Sequence, residues 1–194
     1  MSLQSARHIA LEVFEKTLAP GDRAVDATMG RGRDTLALCR LVGEAGRVYA
    51  FDVQQAALLE TRALLESEGM LCRASLYWMG HERMAERVPA GVKLVAFNLG
   101  WLPGSDKGLT TRVDTTLLAV QSALQLLSPG GVLSLCCYPG HPEGQRELDA
   151  LTELAKSLAP QRFTALKPVF LNAGPGAPVA ILIEKTKTPA SARR

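Results

Sequence analysis

Apolar residues at Ile9, Val13, Phe14 and Leu18 share one helical face, so residues 5–18 read as an amphipathic helix that Pro20–Gly21 ends. The apolar run at 23–28 reads as a buried strand, and 33–42 as the helix after it, stopped at Gly43. A second strand is expected at 46–53 and a second helix at 54–69, stopped by Gly69. Residues 71–78 form a weaker strand pattern and 81–88 a short helix. The apolar run from 91 continues into a loop by 104, and 113–127 is a long amphipathic helix with Asp114 as its N-cap. The segment SPGG (128–131) reads as a turn before a strand at 132–138, and a helix is expected over 143–158. Two apolar segments, 163–171 and 177–185, flank NAGPG and read as a closing antiparallel pair.

Strands that alternate with helices predict an α/β fold, a mostly parallel sheet covered on both faces. Ligands of such sheets bind beyond the carboxyl ends of the strands, near the switch in strand order. That rule gathers Asp26–Gly32, Asp52, Gly80–His81, Asn98–Pro103 and Tyr138–His141 around one crevice. A single domain is expected over 1–186, with 187–194 as a basic flexible tail.

Composition narrows this picture only slightly. The 194 residues are 47% hydrophobic and 21% charged, enough for one domain with a real core. The net charge of +3 permits a polyanionic partner without requiring one. Cys39, Cys72, Cys136 and Cys137 make no C-x-x-C pair, and with three histidines they predict no metal site. They read as reduced thiols of a cytoplasmic protein. No segment approaches the length of a membrane span, so no membrane partner is expected.

The stretch AVDATMGRGRDT (24–35) carries the candidate chemistry. Gly30 and Gly32 allow a sharp turn and a close backbone approach to a ligand. Asp52, at the end of the second strand, stands where a carboxylate accepts both hydroxyls of a ribose. Two nucleoside cofactors compete. NAD needs a third glycine at position 35 and a helix N-terminus open to a pyrophosphate, whereas Thr35 stands there and Asp34 would repel the diphosphate. S-adenosylmethionine has no phosphate and carries an ammonium, which suits Asp26 and Asp34. S-adenosylmethionine is therefore the expected cofactor. Asp26, Thr28, Gly30, Gly32, Asp34 and Thr35 are expected around it, with Asp52, Val53, His81, Asn98 and Leu99.

The loop FNLGWLPGSDKG (97–108) leaves the fourth strand. Methyl transfer is mostly positioning, and the side-chain carbonyl of Asn98 can hold the N–H groups of an amine and aim its lone pair. Trp101 offers a flat face to a nucleobase. Asn98, Asp106 and His81 are the candidate catalytic groups, with His141 also in reach as a proton acceptor. Trp101, Lys107, Arg112, Tyr138 and His141 form the candidate substrate side, Lys107 and Arg112 suiting phosphate.

Four pieces in order, VDATMGRGRDTLAL, FNLGWLPGSDKGLTT, LLSPGGVLSLCCYPGHPEG and APVAILIEK, are spread along nearly the whole chain. On them the chain resembles the small bacterial rRNA-methylase-type methyltransferases, a family that includes the tRNA 5-aminomethyl-2-thiouridine methyltransferase. The resemblance implies a Rossmann-like methyltransferase sheet of seven strands with S-adenosylmethionine as donor. It implies methylation of the aminomethyl nitrogen of the wobble uridine (nm5s2U34 to mnm5s2U34) in the anticodon region of tRNA. It marks Asp26, Gly30, Gly32 and Asp52 for the cofactor, and Asn98, Trp101, Asp106, Lys107, Tyr138 and His141 for the substrate side. Gly80 departs from it, because the family usually carries a polar or acidic residue just before the His–Glu pair.

RNA binding would draw on Arg7, Arg31, Arg33, Lys107 and Arg112, and on Lys185, Lys187, Arg193 and Arg194. A homodimer would widen that basic surface. Three alternatives stay open: another RNA site such as rRNA, a small-molecule amine as acceptor, and a nucleotide-binding module without chemistry.

Overall fold

The computed structural model describes residues 5–101 and 110–187. Asp106, Lys107 and the tail from residue 188 lie outside them. Seven strands form one sheet: β1 (Arg23–Asp26), β2 (Arg47–Asp52), β3 (Ala74–Trp78), β4 (Val92–Asn98), β5 (Leu127–Cys137), β6 (Phe163–Leu166) and β7 (Val179–Lys185). Their order is β3-β2-β1-β4-β5-β7-β6. Strands β1 to β5 pair in parallel, and β7 runs antiparallel to both β5 and β6. The strand order reverses between β1 and β4, the place where such sheets bind ligands.

Among the described residues five α-helices cover the sheet: α1 (Ala6–Thr17), α2 (Arg33–Val42), α3 (Gln55–Ser67), α4 (Val113–Leu126) and α5 (Pro142–Ser157). Alternation along the strands sends side chains to two cores. Val95 and Phe97 join the cluster with Val120, Leu135 and Leu151, whereas Leu94 and Ala96 join the cluster with Phe14, Leu38 and Leu65. Of the neighbours Cys136 and Cys137, the second joins the Val95 cluster and the first a small third cluster with Ala6 and Ala180, and all four cysteines are free, with Cys72 alone exposed.

Four sequence expectations shift. SPGG does not separate two elements. It bulges within β5, so that Leu127 pairs Val92 and Val132 pairs Leu94. A Cβ at Gly131 would lie 3.0 Å from the Val92 carbonyl, which explains the glycine. The strand expected over 163–171 ends at Leu166, because Pro168 has no N–H for a ladder; Val169 and Leu171 are exposed. The short helix at 81–88 is a 3-10 helix, His81–Glu86. Asp114 is not the N-cap of α4. Arg112 holds that position, and the Val113 N–H instead donates to Glu143 Oε1 of α5 at 3.1 Å.

Among the described residues no helix is long and apolar enough to cross a membrane. No group of three or more His, Cys, Asp or Glu side chains gathers there to hold a metal.

Candidate functional site

The carboxyl end of β1 delivers Asp26 into the turn before α2. Its side chain is fully buried, with Oδ1 accepting the Thr28 N–H at 3.2 Å and Oδ2 accepting the Thr35 hydroxyl at 2.6 Å. Burial, then the charge of Asp34, push its carboxyl up to about 7, against the pull of those two hydrogen bonds. Asp26 therefore organises the loop from beneath, rather than lining the crevice as a ligand contact.

Gly30 and Gly32 both adopt positive φ, +49° and +76°. The Gly30 N–H donates to Asp52 Oδ2 at 3.0 Å, which ties the loop to the end of β2. Gly32 answers to packing as well: a Cβ there would lie 2.9 Å from Thr61 Oγ1 of α3, whose hydroxyl donates to the Gly30 carbonyl. The closest approach at Gly32 is thus to a neighbouring helix, a contact that sequence spacing does not announce.

Asp52 is partly open, and its other oxygen accepts the Gln54 N–H at 2.9 Å. Burial raises its pKa from its ordinary value, opposed by these backbone donors. Each oxygen keeps a second lone pair, so a diol can still be received. Beside it Val53 is 62% exposed and Trp78 60% exposed, and the Trp78 indole N–H donates to the Val53 carbonyl at 2.8 Å. At Gly80 a Cβ would collide with the Glu82 carboxylate, so Glu82 fills the space that a side chain at 80 would take.

Asp34 is the junction of the site. Arg7 of α1 donates to its Oδ1 at 2.7 Å, and the Asn98 amide donates to its Oδ2 at 2.8 Å. The sequence expectation sets a ligand ammonium beside Asp34, and each of its oxygens, like those of Asp52, keeps a second lone pair. Both oxygens serve protein groups, and the Arg7 guanidinium offsets the charge that would have repelled a diphosphate. With its NH₂ on Asp34, Asn98 keeps Oδ1 as an acceptor, while its backbone N–H donates to the Thr28 hydroxyl at 2.7 Å. Leu99 follows, buried, with its N–H on the Cys136 carbonyl.

His81 does not join this group. It is buried, its Nδ1 lies 3.2 Å from the Ala27 carbonyl, and its ring meets Phe97 edge-on. A carbonyl only accepts, so Nδ1 carries the proton, and burial pushes the pKa down and keeps the ring neutral. Phe97 and Asn98 are successive strand residues and point to opposite faces of the sheet. His81 therefore sits on the face away from the Asn98 side chain, which corrects its assignment as a base acting beside Asn98.

On the substrate side, the Trp101 and His141 rings lie 4.5 Å apart at 52°. His141 caps α5 with Nδ1, which accepts the Gly144 N–H at 3.1 Å. With Nδ1 accepting, the ring proton sits on Nε2, a buried atom with no partner among the described residues, so this tautomer presents His141 as a donor. Burial raises the Tyr138 phenol well above its ordinary value and keeps it protonated. Arg112 is exposed and pairs with Asp114 at 3.4 Å. Of the basic residues expected to meet RNA, Arg7 is held by Asp34, and Lys185 donates to the carbonyls of Leu124, Gln125 and Leu127 at the end of α4. Residues missed from sequence include Thr61, Thr111 and Glu147. Only Glu147 left a signal, as a carboxylate in the apolar stripe of α5 beside Leu148 and Leu151.

The family model described as "Putative rRNA methylase" matches residues 48–184. The chain belongs to that family. Its fold is therefore that of an S-adenosylmethionine-dependent methyltransferase. The chain is 39% identical over 193 residues to the chloroplastic tRNA (mnm5s2U34)-methyltransferase of Arabidopsis thaliana, covering 94% of this chain and 70% of that protein. A crystal structure of a "putative rRNA-methylase" from Clostridium thermocellum superposes with a TM-score of 0.93 at 34% identity, covering 95% of this chain and all of that one. A "putative methyltransferase" from Streptococcus mutans in complex with SAH matches with a TM-score of 0.85 at 32% identity, covering 95% and 99%.

Proposed function

We propose that this protein is an S-adenosylmethionine-dependent tRNA methyltransferase acting on the aminomethyl nitrogen of the wobble uridine, nm5s2U34 to mnm5s2U34. The orientation of Asn98 carries the reading. Asp34 takes its NH₂, so Oδ1 is presented as a hydrogen-bond acceptor. An amine offers N–H groups on the flank of its lone pair, and holding them leaves that lone pair aimed for attack. An alkyl amine has a pKa of ~10 and must shed a proton first. The relative from Arabidopsis acts by name on the same wobble position.

The residues fit the donor. Asp52 suits the ribose hydroxyls, Gly30 brings bare backbone beside it, and the exposed Val53 and Trp78 offer apolar surface to a purine. S-adenosylmethionine supplies an electrophilic methyl group on a sulfonium sulfur. Asp26 and Thr35 keep the glycine loop in shape, and Thr28 holds the Asn98 backbone next to it. Trp101 gives a base a face to stack on, and His141 Nε2–H stands ready to donate. Asp106 and Lys107 are kept as substrate-side residues of the same loop.

Incubation with labelled S-adenosylmethionine and tRNA bearing an unmethylated aminomethyl wobble base, then digestion to nucleosides, tests this. Label is expected in mnm5s2U alone. Label in a ribosomal RNA nucleoside would support the activity in the family's description instead. A small-molecule acceptor would show as activity that does not fall as salt rises, since phosphate contacts release counterions.

A further inference from the structure

Outside the groups used so far, the most buried carboxylate is Glu147 of α5, at 1% exposure. Its Oε2 accepts the Thr111 hydroxyl at 2.8 Å and its Oε1 the Thr116 hydroxyl at 2.6 Å. The Thr111 hydroxyl in turn accepts the Gly100 N–H at 2.8 Å, and the Thr111 N–H donates to the Gly100 carbonyl at 3.1 Å. Trp101 and Thr110 pair as an antiparallel bridge just beyond. The segment that leaves β4 after Asn98 is thus closed at its neck, and one carboxylate ties that neck to α5.

A threonine hydroxyl has a single proton. By drawing it, Glu147 turns the Thr111 lone pairs toward Gly100, two residues from Asn98 and next to Trp101. We propose that Glu147 is a positioning residue for the acceptor, acting through Thr111 to set the Gly100–Trp101 backbone. The inference rests on the reading that this loop receives the acceptor. Thr116 supplies an internal control, because its hydroxyl binds the same carboxylate and, among the described residues, makes no hydrogen bond to Gly100, Trp101, Thr110 or Thr111.

The variants are Glu147→Gln, Thr111→Val, Thr111→Ser and Thr116→Val in the full chain. Kinetics use the aminomethyl tRNA. Trp101 fluorescence in a Trp78→Phe background reads the loop directly. Glu147→Gln and Thr111→Val should each raise KM for tRNA roughly tenfold, as expected for loss of one charge-assisted hydrogen bond. Both should shift Trp101 emission while SAH affinity stays within about threefold. Thr111→Ser should restore both readouts, the double variant should be no worse than either single one, and Thr116→Val should change only the melting temperature. Unchanged Trp101 emission in Glu147→Gln and Thr111→Val, or an equal KM rise in Thr116→Val, overturns the inference. The expected emission shifts in a protein whose wild type methylates no tRNA would overturn the functional reading alone and leave Glu147 as the residue that sets the loop.

Discussion

Asp34 Oδ2 accepts the Asn98 amide at 2.8 Å, and this contact decides which end of Asn98 faces an acceptor. Asp34 lies in the first turn of α2 and Asn98 at the end of β4, so the bond spans the switch in strand order. Arg7 of α1 completes a relay of three side chains from three elements.

Asn98→Ala removes the acceptor oxygen together with the amide group that donates to Asp34. Methyl transfer should fall by at least about a hundredfold, while SAH affinity, measured by calorimetry, stays within a few fold. A loss of SAH affinity equal to the loss of kcat/KM would instead make Asn98 a cofactor ligand only.

Asp34→Ala leaves the Asn98 amide free to rotate. We expect kcat to fall by about tenfold or more with KM for S-adenosylmethionine little changed. Arg7→Ala strands a buried Asp34 carboxylate, so it should lower the melting temperature as well as kcat. If Asp34→Ala raises the cofactor KM and spares kcat, Asp34 acts through a direct contact with the ligand ammonium instead.

Asp52→Ala should act on the other side of the crevice. It removes the diol acceptor and the Gly30 tether, so SAH should bind about tenfold more weakly or worse. A binding isotherm for SAH against adenine alone separates the two losses, since only the first molecule carries a ribose.

Asp26 gives a pH signature. Its carboxyl rises from 3.8 in the unfolded chain to about 7 in the fold, so the folded chain binds that proton more tightly. Its stabilising contribution is complete below about pH 4 and is lost as pH rises through about 7. The full effect is on the order of 4 kcal/mol at most. Asp26→Asn keeps the acceptor for Thr28 and a donor for Thr35 without the titration. Its melting temperature should fall less than that of wild type between pH ~5 and pH ~8. Parallel curves for the two proteins would refute the assignment.

Gly32→Ala forces a side chain at positive φ against Thr61. A destabilisation of about 2 kcal/mol or more is expected in denaturant unfolding. Thr61→Ala in the same chain should return part of it, because Oγ1 and Cγ2 make two of the three contacts.

The order of elements was readable from residue periodicity because each has one apolar face. The helix at 33–42 appears with the same bounds, since Gly32 and Gly43 punctuate it chemically. Elements were misjudged where a local signal met a tertiary one. SPGG carries turn residues yet is held in β5 by pairing on both sides, and Asp114 is a good cap in sequence but Glu143 of another helix reaches the Val113 N–H.

The candidate site divides in the same way. Asp52, the glycine pair and the Asn98 loop were legible because strand ends and turns announce themselves by residue type and spacing. Side-chain partners were not, since hydrogen bonds such as Asp34–Asn98, across 64 residues, leave no periodic trace. Residue periodicity and element order alone established a doubly covered parallel sheet and pointed to a nucleoside crevice at its switch in strand order, because burial patterns are local properties of the chain. The partners and burial of each carboxylate were decided in three dimensions, Asp26 lying wholly buried and Asp52 partly open. A carboxylate's role follows from its donors and its burial, and those come from helices and strands far away in sequence.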